Sequence, residues 1–152
     1  MLTVQITKRK GGGSVLRCVR KDGSSTWQKQ DRHAAFFAIH DLTHFAVESV
    51  LGFRNGFFGL IAQGWDIDDT TGKGARGRLP EEAGQVEQLV GLMGAERASG
   101  EIMTAEDLTR FATLPSPLTE GQARRVRERC SELFWQWNAL PVGQTLELRW
   151  ES

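Results

Sequence analysis

The stretch Asp31-Arg32-His33-Ala34-Ala35-Phe36-Phe37-Ala38-Ile39-His40-Asp41-Leu42-Thr43-His44-Phe45-Ala46-Val47-Glu48-Ser49-Val50-Leu51 decides the fold. It holds neither proline nor glycine, and its apolar residues recur at helical spacing. It therefore predicts a helix with Asp31 as N-cap and Gly52 as its stop. Upstream the period is two. Leu2, Val4 and Ile6 alternate with Thr3, Gln5 and Thr7, as residues on opposite faces of a half-buried strand do. The polar, glycine-rich run from Lys8 to Gly13 and the Asp22-Gly23 pair read as hairpin turns. Ser14–Arg20 and Ser25–Gln30 then complete an antiparallel meander over residues 1–30.

Downstream, Asn55–Trp65 reads as a second helix in which Gly56 and Gly59 mark close packing. Asp66–Pro80 has the composition of a long loop, a class that is usually functional or mobile. Glu81–Ser99 carries Val86, Leu89, Val90 and Met93 on one helical stripe. Thr104 with Asp107, and Thr119 with Gln122, have the spacing of capping boxes. The second opens a helix whose buried stripe is Ala123, Val126, Cys130, Leu133, Phe134 and Trp137, flanked by Arg124, Arg125, Arg127 and Arg129. After the Pro141-Val142-Gly143 turn, Leu146, Leu148 and Trp150 alternate with charged residues in a closing strand at 144–150, which needs the N-terminal sheet as its partner. Strands, then a helical region over 31–140, then one strand predict a single α+β domain spanning 1–152. In it an antiparallel sheet of three N-terminal strands plus the C-terminal strand packs against four to five helices.

Composition sets the outer limits. A chain of 152 residues with 39% hydrophobic and 25% charged residues is long enough for one real core without staples. No apolar run approaches the length of a membrane span, and the N-terminus lacks the pattern of a signal peptide. Cys18 and Cys130 lie far apart in no motif and read as buried thiols, so the expected location is the cytoplasm. Lys and Arg number 19, as do Asp and Glu, which argues against a generally cationic nucleic-acid binder. The charges are nevertheless segregated: residues 1–32 hold eight basic and two acidic side chains.

All three histidines, His33, His40 and His44, fall within twelve residues of one predicted helix. At about 100° per residue they share one face with Asp41 and Glu48, opposite a stripe of Ala35, Ile39, Leu42, Ala46 and Val50. Histidines at i and i+4 aim two imidazoles at one point. A third ligand completes the set used by catalytic zinc, or the two-histidine, one-carboxylate set of non-haem iron. His40 and His44 form the core pair, with Glu48, His33 or the Asp66–Asp69 loop as source of the third ligand. Glu48 is a candidate ligand or base, and Asp41 a candidate catalytic group or an orienting partner of an imidazole. The bland alternative is that the histidines hydrogen-bond within the structure or lie in solvent.

His40-Asp41-Leu42-Thr43-His44 resembles the His-Glu-x-x-His motif of zincins, with Asp41, one methylene shorter, where their general base stands. A His-Asp-x-x-His motif also occurs in coenzyme Q biosynthesis proteins, where a later Glu completes a zinc site; here Gly56 takes that place, and the function is not carried over. From His40 to Glu48, followed by Gly56-Phe57-Phe58-Gly59-Leu60-Ile61-Ala62, the chain resembles a small family of uncharacterised bacterial proteins. That resemblance implies no activity.

Other motifs fail on their own terms. Asp66-x-Asp68 opens like a calcium loop, but Thr71 and Gly77 occupy the positions that require Gly and Glu. Lys73 lacks a Walker spacing, and no G-x-S-x-G elbow occurs. Two readings remain. One is a divalent-metal protein binding Zn or Fe, with the reaction class of a small metal-dependent hydrolase acting on an unidentified small molecule. The other is a non-enzymatic binding or assembly module whose basic N-terminal sheet and Trp27 meet a polyanion or a protein; self-association into a homo-oligomer is open in both.

Overall fold

A computed structural model describes residues 1–31 and 34–151, with only the backbone of Ala34. His33 lies outside the described residues. The chain runs β1 (Leu2–Lys8), β2 (Ser14–Arg20), β3 (Ser25–Gln30), α1 (Ala34–Leu51), α2 (Phe57–Ala62), a short 3-10 turn (Ile67–Thr71), α3 (Glu81–Ser99), α4 (Ala105–Phe111), α5 (Glu120–Ala139) and β4 (Thr145–Trp150). The strands form one antiparallel sheet in the order β3-β2-β1-β4. The fold is α+β, and β4 closes the sheet against β1, with Val4 opposite Leu148 and Leu2 opposite Trp150.

The period-2 pattern is what orients the sheet. Leu2, Val4, Ile6, Leu16, Cys18, Leu148 and Trp150 are buried on its helix-facing side, while Arg17 and Trp27, paired across β2 and β3, face outward. The predicted caps of the later helices form as well. Thr119 accepts the Gln122 amide at 3.0 Å and Gln122 reaches back to the Thr119 amide at 2.9 Å. Thr104 caps α4, but Asp107 turns to Arg110 at 3.1 Å, so that box is half made. Gly52, at φ 74, ends α1 in the left-handed conformation that suits glycine.

Asp31 pairs with Arg9 at 2.9 Å and Lys29 at 3.4 Å; its expected place as N-cap of α1 falls on a helix start outside the described residues. Two expectations need correction. The Asn55–Trp65 segment is helical only over Phe57–Ala62. Its glycines do mark close packing: a Cβ at Gly56 would fall 2.5 Å from the Glu48 carboxyl carbon, and one at Gly59 would overlap the Arg54 carbonyl.

The second concerns the face of α1. A histidine face opposite the main apolar stripe was expected, but exposure does not separate the two: every residue from Asp41 to Val47, together with Glu48, is buried. The cause is position: α1 packs on α5, α3 and α2. Its polar stripe is therefore an internal layer, while Ala35, on the expected apolar stripe, is exposed and Ile39 and Val50 are half-buried.

Candidate metal centre

His40 and His44 stand one turn apart on α1, their ring centroids 4.8 Å from each other. Opposite them, α3 supplies Glu87. Its Oε1 lies 3.1 Å from His40 Nε2, and its Oε2 lies 2.8 Å from His44 Nε2. One ligand atom from each of these residues lies within 4.8 Å of the others, a group that could hold a metal ion. The group spans a gradient of exposure: the side chain of His44 is 3% exposed, that of His40 24% and that of Glu87 58%.

Glu48 takes a different place from the ligand position expected for it. Its side chain is fully buried, and Oε2 accepts from His44 Nδ1 at 3.1 Å. Its two oxygens also accept the amides of Phe57 and Phe58 at 2.9 Å and of Gly59 at 3.1 Å. A carboxylate thus satisfies the orphan donors at the start of α2, where the helix dipole favours negative charge. Gly56 is required there, since any Cβ would displace the carboxyl group. The sequence placed Glu48 on the histidine face but could not show that α2 would occupy it.

Asp41 points to the sheet. Gln30 Nε2 donates to its Oδ2 at 2.9 Å, and Ser14 Oγ donates to Gln30 Oε1 at 2.8 Å. This buried chain ties α1 to β2 and β3. Burial pushes the Asp41 carboxyl up to about 6, against the Gln30 hydrogen bond and the nearby imidazoles. The Cys18 thiol is pushed up to about 12 by burial and then by the Asp41 charge, which leaves it inert.

His44 is held between two carboxylates. Burial works to lower its pKa, but the hydrogen bonds to Glu48 and Glu87 and their charges outweigh it and carry the imidazole up to about 9. The same hydrogen bonds, from His40 first and then His44, hold Glu87 far below the usual carboxylate range. Without a metal, His44 is thus an imidazolium with both N–H groups engaged. With its Nδ1–H fixed on Glu48, loss of the Nε2 proton leaves a lone pair aimed at the group, the tautomer that a metal ligand needs.

Within the Asp66–Pro80 loop, Asp66–Asp69 was the expected outside source of a carboxylate, and among the described residues it supplies none to this group. Asp66 pairs with Arg20 at 2.9 Å, and Asp66 and Asp69 cap the 3-10 turn reciprocally. Arg20 also donates to the carbonyls of Ile61 at 2.7 Å and Trp65 at 2.6 Å, pinning the loop to the sheet. The loop does reach the histidines in another way. Thr70, Thr71 and Leu79 join His44, Phe57 and Glu87 around a cavity of about 300 Å³. The third group of the cluster, Glu87, was missed; in sequence it resembles the other acidic residues of α3, and only the packing of α3 on α1 distinguishes it.

The chain matches no family model, no curated protein and no solved structure.

Proposed function

We propose that the protein binds one divalent metal ion, zinc or iron, through His40, His44 and Glu87, and that it belongs to the small metal-dependent hydrolases by reaction class. The observation that carries this reading is the convergence of two imidazoles and one carboxylate within 4.8 Å. The donor set fits: two neutral nitrogens and one oxygen are the set used by catalytic zinc and non-haem iron. When bound, such an ion supplies Lewis acidity and an activated water at the position that three protein ligands leave free.

The roles of the chain's own residues follow from their contacts. Glu48 holds the proton on His44 Nδ1 and fixes the ring plane, a positioning role that replaces the ligand or base role expected of it. Asp41 anchors α1 to the sheet through Gln30 and does not touch the cluster's imidazoles by hydrogen bond. Elemental analysis tests the reading: about one metal per chain is expected, lost in the His40→Ala/His44→Ala double variant. Protein that stays metal-free at saturating zinc and iron refutes it.

The second reading, a binding module, is favoured by the outer sheet face, where Arg17 pairs across the ladder with a Trp27 that is 63% exposed and Lys29 lies beside them. Salt-sensitive binding of a polyanion by metal-free protein supports it, and no binding at low salt excludes a polyanion as its partner.

A further inference from the structure

We propose that the groove between α1 and α3 is the ligand channel of the metal centre and takes an elongated apolar molecule bearing one carboxylate, which pairs with Arg97. The proposal rests on the reading of His40, His44 and Glu87 as a metal site. The groove has a volume of about 740 Å³, well within the range of small-molecule sites. His40 and Glu87 line it, so it opens directly on the cluster. Its walls are apolar: Ile39, Val90 and Phe36, which is 61% exposed yet stacks on the His40 ring at 5.3 Å between centroids. An exposed aromatic stacked on a candidate ligand gives an apolar chain a surface to lie on.

The glycines of α3 point the same way. Gly91 and Gly94 line the groove inside a helix, where glycine weakens the backbone. Neither has a positive φ. A Cβ at Gly91 would meet nothing within 4 Å, and one at Gly94 would meet only Arg97 Nη2 at 3.8 Å. No conformational or packing demand accounts for them; what their missing side chains provide is the open groove. Arg97 supplies the polar end. Its guanidinium lies over the Phe134 ring at 4.7 Å, it has no ion pair among the described residues, and its neighbour Glu96 is held by Arg127. Glu87 and Arg97 are ten residues apart on one helix, about 15 Å along the axis, which suits an extended acyl chain.

Calorimetric titration of the full chain with dodecanoate, below its micelle concentration and with and without zinc, tests this. One dodecanoate is expected per chain. Its affinity should fall at least tenfold in Arg97→Gln and in Gly91→Leu, whose Cβ would meet nothing within 4 Å and whose remaining atoms would occupy the groove, while both variants keep the zinc stoichiometry of the parent. Dodecyltrimethylammonium should bind at least tenfold more weakly than dodecanoate. Equal binding of the cationic amphiphile, or parental dodecanoate affinity in Gly91→Leu, overturns the proposal. Zinc binding without dodecanoate binding overturns the channel and leaves the metal centre. Dodecanoate binding without zinc binding overturns the metal centre, and with it the channel's role in serving one.

Discussion

Two glutamates of α3 meet cations in opposite ways. Glu96 is 7% exposed and takes Arg127 in a bidentate pair at 2.7 and 2.9 Å, while its Oε1 also accepts the Met103 amide at 2.8 Å. Arg127 donates in turn to the Met103 carbonyl at 2.7 Å. Guanidinium does not deprotonate in a protein, so this pair is closed. Glu87 has similar contact distances, but its partners are the imidazoles of His40 and His44. An imidazole can release its proton and offer a lone pair. Distance alone does not separate a closed ion pair from a group that could take a metal; the ability of the cation to titrate does.

The largest effect expected on stability lies beneath the second cluster. Glu48→Ala removes the acceptor of three buried amides and of His44, and should lower the unfolding free energy by about 4 kcal/mol in denaturant titration. A loss under about 1 kcal/mol would show that water replaces the carboxylate at little cost. Next comes the closed pair. Arg127→Ala leaves Glu96 without its cation and should cost about 3 kcal/mol, with zinc affinity unchanged. Weakened zinc binding in that variant would erase the contrast between the two glutamates.

The two clusters should also respond to pH in opposite windows. The folded-state pKa of His44 is raised from 6.5 to about 9, so its contribution is fully present below pH 6.5 and is lost as pH rises through about 9. For a buried group that difference is worth on the order of 3 kcal/mol in metal-free protein. Glu96 goes the other way. Its burial raises the pKa, but Arg127 and the Met103 amide lower it further, so its contribution is present at neutral pH and is lost as pH falls into the acid range. Melting curves of metal-free protein from pH 4 to 10 should show both flanks, and the alkaline one should vanish in His44→Gln. A flat profile between pH 6.5 and 9 contradicts the imidazolium at His44.

Much of this fold was legible because local rules and tertiary structure agree. The alternation of Leu2, Val4 and Ile6, the Asp22-Gly23 turn and the Thr119–Gln122 box all act over a few residues, and all appear where the spacing puts them. The site was half legible. His40 and His44 are brought together by one helical turn, which a sequence displays directly. Glu48 was placed on the histidine face, but its contacts with the amides of Phe57, Phe58 and Gly59 were not legible, because they come from a helix whose docking no periodicity encodes. Glu87 was illegible for a related reason. Glu82, five residues before it, has an equally polar setting in sequence and caps the Arg54 and Asn55 amides instead.

The most direct test of the contrast between the two glutamates is a competition titration with a chromophoric zinc chelator on the parent protein, Glu87→Gln and Glu96→Gln, with bound metal counted by elemental analysis. One zinc per parent chain, an affinity at least 100-fold weaker in Glu87→Gln and within threefold of the parent in Glu96→Gln, is the predicted result. Parental zinc affinity in Glu87→Gln, or no zinc bound by the parent at all, would contradict it.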